Sequence, residues 1–472
     1  MTNTVFSLAA AVLTAAVLFG GGARLGAPGD VVPQLLSLAL LYYVCIPGWR
    51  RLREAPLFRV LLISICGLFA IQLIPLPPSL WTALPGRSVI ALMLEDAGVA
   101  PGWLTLSLRP YETAKASLTL LPAVALFFAV LLMDLKRRVW LIGVLVALVL
   151  LSVLVGLLQL LDGPESAFYF HQFAARSRAV GFFANPNHYT ALLYATLPLA
   201  AALAASFSGR HAKVMAGAFG VIAFAYLVGL SISGSRAALL LGGVSLLASL
   251  ALLATSGAFV ALARRRLIVV AGVAALTIAP VLMGVGLLAI LDRLDSQDVF
   301  DDLRWKMLPA ALEQAVGYLP FGAGLGTFEK AYALNESAAL LIPAFVNHVH
   351  NDWVEAIYEA GALALMPMAL AVLVLARISR EAWRAPPSLS GHLAAGAAIG
   401  AWLLAIHSLW DYPLRTEACL ATLALILALS VAPVQANIES VAEAVPGLGR
   451  ARGKRSRKSR RSGEAAAPAP SI

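Results

Sequence analysis

Apolar runs of roughly 17–25 residues recur along this chain, and each is long enough to cross a lipid bilayer as a helix. About twelve are countable, centred near residues 12, 38, 67, 124, 150, 198, 221, 246, 278, 367, 401 and 423. Inside hydrocarbon each backbone polar group must pair within its own segment, so such runs in series dictate a helical bundle. With 60% hydrophobic and 13% charged residues, the chain has too little polar surface for a soluble domain of its size. The expected fold is all-α, a polytopic membrane bundle of about twelve helices. The first run is read as a retained span, because Met1-Thr2-Asn3-Thr4 lacks a basic start and no clean small-residue cleavage site follows.

Lys and Arg mark cytoplasmic loops. Arg50, Arg51, Arg53 and Arg59 lie between the second and third runs, and Lys136, Arg137 and Arg138 follow the fourth. Arg210 and Lys213, then Arg264 to Arg266, then Arg377, Arg380 and Arg384 follow the sixth, eighth and tenth. Basic clusters after every second span predict both termini in the cytoplasm. Much of the net charge of +10 is therefore a topology signal. The resulting division is a bundle of spans 1–9 over residues 1–291, an outward loop domain over 292–356, spans 10–12 over 357–432, and a basic tail over 433–472. The tail is expected to be disordered and to touch anionic membrane lipid, not nucleic acid. Cys45, Cys66 and Cys419 fit no metal spacing and are expected as small apolar core residues.

The loops that face outward in this topology are 77–114, 162–188, 230–236 and 292–356. The last carries ten acidic and four basic residues from Asp292 to Ala356. It is expected to be mostly helical. Asp301 or Asp302 would cap a helix from Trp305 to Ala315, and Pro320 with the glycines of 322–326 would end it.

The informative polar residues cluster in these outward loops. They are Arg176 and Arg178 before Gly181 to His188, Ser231 to Arg236, Arg304-Trp305, and Asn347 to Asp352. His407 through Asp411 to Arg415 completes the set. A polar group near a bilayer is costly and usually has a task. Isolated arginines on one face suit a multiply anionic ligand, since guanidinium forks grip phosphate oxygens in pairs. An adjacent histidine can serve as a general base near neutral pH.

Duller readings stand beside these. Arg236 can be an interfacial anchor, and Asn185-Pro186-Asn187 only a turn. Glu355 and Glu359, one helical turn apart, can be helix-start charges favoured by the dipole. His171, His211 and His392 are read as ordinary surface residues. His348 and His350 lack an evident third metal ligand, so no metal is expected. Ser231-Ile232-Ser233-Gly234 has serine where an intramembrane serine protease would need glycine. Gly322 to Gly326 is followed by no Gly-Lys-Ser/Thr, so nucleotide binding is not expected. A polysaccharide transporter or flippase is the reading from another class. Transport favours mid-bilayer charges and internal repeats, and neither is evident.

Taken in order, these motifs resemble the O-antigen ligase and polymerase superfamily of bacterial envelope glycosyltransferases. The matching pieces are Leu106 to Tyr111, Arg178 with Gly181 and Asn185 to Asn187, and Ser233 to Arg236. Arg304-Trp305 ahead of Pro320 to Phe328, His348 to Trp353 with Glu359 and Gly361, and His407 to Asp411 complete them, spanning roughly residues 100–430. The resemblance implies a multispanning, metal-independent enzyme with a periplasmic helical domain and no cofactor. Such an enzyme takes a glycan from an undecaprenyl-diphosphate carrier at the periplasmic face of the inner membrane. It passes the glycan to lipid A–core as a ligase, or to another carrier-linked glycan as an O-antigen or exopolysaccharide polymerase; the ligase is the favoured reading. Arg178, Arg236 and Arg304 match the family's diphosphate-contacting arginines. His350 matches its proposed general base, with His348 as its neighbour. On this reading the catalytic residues are His350, Arg236 and Arg304. Arg178, Asn187, His348, Asn351, Asp352 and Asp411 contact substrate, with Asn351 and Asp352 orienting the imidazole or the acceptor sugar.

Overall fold

In the computed structural model, residues 2–255, 299–336 and 346–432 are described. The chain is almost entirely helical. In order, the helices are α1 (Thr2–Phe19), α2 (Val31–Arg51), α3 (Pro56–Gln72), α4 (Pro78–Trp81), α5 (Ser88–Asp96), α6 (Pro110–Leu118) and α7 (Leu120–Leu132). Then come α8 (Leu135–Asp162), α9 (Pro186–Ala205), α10 (Gly209–Ile232), α11 (Arg236–Ala254), α12 (Val299–Gly317) and α13 (Phe328–Ala333). The last are α14 (Asp352–Ala360), α15 (Leu365–Arg384), α16 (Leu389–His407) and α17 (Glu417–Leu429). Two-residue strands, β1 (Pro75–Leu76) and β2 (Leu104–Thr105), pair antiparallel beyond the end of α3.

Eleven of the twelve expected span centres fall on α1, α2, α3, α7, α8, α9, α10, α11, α15, α16 and α17. The twelfth, near residue 278, and the basic tail lie outside the described residues. Among the described residues, eight helical segments are long and apolar enough to cross a membrane, while Asn3–Phe19, Pro56–Gln72 and Glu417–Leu429 are shorter apolar helices. This is an all-α polytopic membrane protein.

Local sequence sets where the helices begin. Asp134, Asn185, Ser235, Ser388 and Thr416 each accept a backbone N–H of the first turn of α8, α9, α11, α16 and α17. Helix α9 is almost wholly buried. It packs against α8, α10, α11 and α16, and its alanines permit close approach. One large core unites the spans, with Leu192, Leu193, Leu404 and Leu425 essentially inaccessible.

The bundle has two chemically distinct ends. At one, Arg137 donates to Asn3 Oδ1, Arg138 to Val431 O at 2.6 Å and Arg51 to Ala432 O at 3.2 Å. At the other, Ala418 N donates to Gly20 O, Ala184 N to Gly21 O, and Ala179 N to Ile232 O. Arg51, Arg137 and Arg138 thus gather at the end of the bundle opposite Asp411 and its histidines.

Three local expectations change. Helix α12 already runs from Val299, so Asp301 and Asp302 lie inside it and do not cap it. Cys45 and Cys66 are exposed and only Cys419 is buried, because α2 and α3 turn those thiols outward from the core. His392 is buried and lies 3.2 Å from Ser206 Oγ, so it is no surface residue. Helices α12 and α13 share a small core of their own, in which Tyr318, Phe328 and Tyr332 pack with Tyr358 of α14. That core crosses the expected boundary at residue 356.

Candidate functional site

Asp411 is the centre of the site. It sits in the turn between α16 and α17 and is fully buried. His350 Nδ1 stands 3.3 Å from its Oδ1, and the Tyr412 amide donates to the same oxygen at 2.9 Å. Asn187 Nδ2, in the first turn of α9, donates to Oδ2. Two further histidines flank the carboxylate, with His188 Nε2 at 3.6 Å and His407 Nε2 at 4.0 Å. Burial alone would raise the Asp411 carboxyl, but hydrogen bonding and attraction to His188 and His350 hold it well below the usual carboxylate range.

The loop that delivers His350 is itself clamped. Glu355, on the first turn of α14, accepts from His348 Nδ1 at 2.7 Å through one oxygen and from the Val349 amide at 2.9 Å through the other. Burial would lower the pKa of His348, but the charge and hydrogen bond of Glu355 raise it above the ordinary histidine value. The rings of His348 and His350 lie 4.1 Å and 4.9 Å from the Tyr412 ring. His350 has φ of +60°, and no other non-glycine residue among those described has a positive φ. A left-handed conformation at such a residue stores strain of order 1–3 kcal/mol, and such strain concentrates at functional sites.

Arg415 secures the opposite side. Its Nη1 reaches Glu359 Oε2 at 2.7 Å and Glu355 Oε1 at 3.5 Å, and its Nε lies 3.4 Å from Asp352 Oδ1. Burial opposes the charge on Arg415, but these three acids more than offset it and raise its pKa above the ordinary arginine range. Gln72, at the end of α3, donates to Glu359 O and accepts from Leu325 N. Arg87, from the 77–114 loop, donates to Gly322 O at 3.0 Å. A Cβ at Gly322 would stand 2.3 Å from Glu359 O, so only glycine lets the 320–326 loop lie against α14.

The arginines approach from a neighbouring side. The Arg178 loop is pinned by Gln159, whose Oε1 accepts from Val180 and Gly181 amides and whose Nε2 donates to Gly181 O. Ala179 N bonds Ile232 O at 3.4 Å, which brings this loop beside the turn that starts α11 at Arg236. Ser235 Oγ donates to Asn187 Oδ1 at 2.7 Å, tying that turn to the Asp411 cluster. Arg236 is exposed and Arg178 half-buried. Arg304 lies on α12, and its side chain is outside the described residues.

Three side chains expected to contact substrate also hold the site together. Asn351 caps α14, accepting from Trp353 and Val354 amides at 3.0 Å, and donates to Leu409 O at 2.7 Å. Asp352 accepts from Ser408 Oγ at 2.8 Å and faces Arg415. Asp411, not Asn351 or Asp352, holds the imidazole of His350. Asn187 spends its amide on Asp411 and Ser235. Sequence reading left Arg415 without a role and Glu355 undecided. Three acids within eight residues facing one arginine were the available signal.

Beneath Asp352 and Trp353 an apolar cavity of about 390 Å³ runs into the bundle, lined by Ile65, Val124, Met368, Ala405 and Leu423 among others. Among the described residues no group of three or more His, Cys, Asp or Glu side chains is arranged so that it could hold a metal ion. A fixed carboxylate–imidazole pair, nearby arginines and an apolar slot are the parts for transfer chemistry on a lipid-linked anion.

Residues 219–369 match the family model described as O-antigen ligase. That match supports a likeness to the O-antigen ligase superfamily over about a third of the chain. No curated protein matches it in sequence. The matched stretch holds Arg236, Arg304, His348, His350, Glu355 and Glu359. Asn187, Asp411 and Arg415 lie outside that stretch and are brought to it by the fold. The likeness supports a glycosyltransferase of ligase or polymerase type, a family whose substrates are in general glycans and lipid-linked.

Proposed function

We propose that the protein is an O-antigen ligase-like enzyme that transfers a glycan from undecaprenyl diphosphate to a lipid A–core sugar, at the periplasmic face of the inner membrane. The observation that carries this reading is the His350–Asp411 pair. A carboxylate accepting from Nδ1–H puts the imidazole lone pair on Nε2, the tautomer a general base needs. His350 takes the proton of the acceptor hydroxyl as that oxygen attacks the anomeric carbon. The bond from that carbon to the diphosphate oxygen breaks, and undecaprenyl diphosphate leaves with the bonding pair. Arg178, Arg236 and Arg304 are assigned to the charge that develops on the leaving group, where fixed cations act most strongly. His348 takes part through its contact with Tyr412, and Asn187, Asn351, Asp352 and Asp411 position the pieces. The apolar cavity suits the isoprenoid chain next to its diphosphate, and the reaction needs neither cofactor nor metal on this reading.

The test uses the purified protein in lipid nanodiscs with a carrier-linked glycan, with and without lipid A–core. Glycosylated lipid A–core is the expected product. Longer carrier-linked glycan without lipid A–core would instead make the protein a polymerase. Carrier glycan moved across a bilayer with no new glycosidic bond would refute transfer and leave a transporter.

A further inference from the structure

We propose that the loop between α8 and α9 presents an aromatic platform for the donor glycan, with Phe170, Phe173 and Arg24 binding sugars beyond the one attached to the diphosphate. The proposal rests on the transfer reading above.

Three aromatic residues of this loop face outward: Phe168, Phe170 and Phe173 are 37%, 53% and 62% exposed. Burying one phenylalanine contributes about 1.5–3 kcal/mol, so leaving several exposed on one short loop asks for a reason. The loop is not lipid-like in composition. Between the aromatics stand His171 and Gln172, with Arg176, Ser177 and Arg178 close behind. Phe170 stacks on Phe182 with ring centres 5.7 Å apart and planes inclined by 17°, so its ring is held in a fixed plane. Arg24 lies over the Phe173 ring with Cζ 4.4 Å from its centre. The result is one ring stacked on Phe182 and a second covered on one face by a guanidinium, each with its other face left for a sugar. Sugar rings carry apolar C–H faces and a rim of hydroxyls, and this pairing suits both. The faces stack on the rings, and the guanidinium donates to hydroxyl or carboxylate oxygens.

The platform is joined to the site. His171 Nε2 lies 2.9 Å from Phe182 O, next to Gly181 of the Arg178 loop. Asn347, one residue before His348, donates to Ala23 O at 3.0 Å, and Arg24 is the next residue. The Ala184 amide bonds Gly21 O at 3.0 Å. The platform and the proposed diphosphate site therefore share one loop. Sugars attached to a diphosphate at Arg178 extend past Phe173, which selects the donor glycan over the acceptor.

The experiment compares two donors in nanodiscs holding the full-length protein. One is the multi-sugar carrier-linked glycan extracted from the producing cells; the other is undecaprenyl diphosphate bearing only its first sugar. Phe173→Leu should raise KM for the multi-sugar donor about tenfold, as loss of an aromatic contact does, and leave the single-sugar donor unchanged. Phe173→Trp should keep both near wild type. Unchanged kinetics in Phe173→Leu would overturn the platform and make Phe173 a lipid contact, because leucine serves a lipid equally well. An equal loss with both donors, or a shift in acceptor KM alone, would overturn it too. If the wild-type protein turns over neither donor, the transfer reading fails first, and that outcome is distinct from an active enzyme indifferent to Phe173.

Discussion

Replacing Asp411 by asparagine keeps the shape of the side chain and removes its charge. The structure shows why the fit is still poor. Oδ1 accepts from the Tyr412 amide and His350, and Oδ2 accepts from Asn187 Nδ2. An amide supplies one acceptor and one donor, so either orientation sets a donor against a donor. One such mismatch in a fully buried site costs about 1–3 kcal/mol of stability. The imidazole also loses its anionic partner, and transfer should fall about 10²–10³-fold, which is about 2.7–4 kcal/mol in the barrier. The double variant Asn187→Asp with Asp411→Asn separates the two effects. The aspartate at 187 accepts from the amide at 411 and from Ser235 Oγ, while the amide oxygen at 411 keeps Tyr412 and His350. Hydrogen bonding is restored, but the charge has moved one residue away from His350. Thermal unfolding in detergent should therefore return close to wild type, while glycan transfer at saturating donor stays at least about tenfold down. Transfer by Asp411→Asn within threefold of wild type would refute the pair. Full recovery of activity in the double variant would show that Asp411 matters only as a hydrogen-bond partner.

Arg236→Lys should lose about 10²-fold in transfer at equal expression, because an ammonium cannot replace a two-pronged guanidinium contact on diphosphate; near-normal turnover would leave Arg236 an interfacial anchor. His350→Ala and His350→Gly should both be inactive, yet the glycine variant should be the more stable by about 0.5–1 kcal/mol, since the +60° backbone favours it; the reverse order in thermal unfolding would mean the loop carries no strain. Glu355→Gln should destabilise in a pH-dependent way. The partner His348 has its pKa raised above 6.5 in the folded protein, so its contribution is complete below that pH and is lost as pH climbs through the raised value. The stability gap between wild type and Glu355→Gln should therefore be widest near pH 6 and narrow toward pH 9, and a constant gap would show that His348 carries no charge.

The bundle was legible because its signals are local. Apolar run length placed eleven described helices. The site was legible as a set of unusual residues, not as a geometry. Nothing near His350 in sequence says that its partner is Asp411, sixty-one residues on, or that Asn187 completes the pair from the start of α9. The capping role of Asn351 was available in the sequence, since an asparagine just before a helix is first a cap. Arg415 was passed over because its three acids lie on a different helix. The phenylalanines of the α8–α9 loop were hidden by the surrounding apolar composition, where one more exposed aromatic draws no notice.

The order in which these residues are made has a consequence for biogenesis. Asn187, Arg236 and His350 are translated and threaded into the membrane before Asp411, which arrives with the turn between the last two described helices. Until that hairpin inserts, the imidazole has no counter-ion and Arg415 is absent from the acids it neutralises. A nascent chain stalled near residue 400 would hold the whole stretch that matches the family and still lack a working centre. The hairpin of α16 and α17 therefore brings in Asp411 and Arg415 together, and the cluster around them assembles only once both helices are in place.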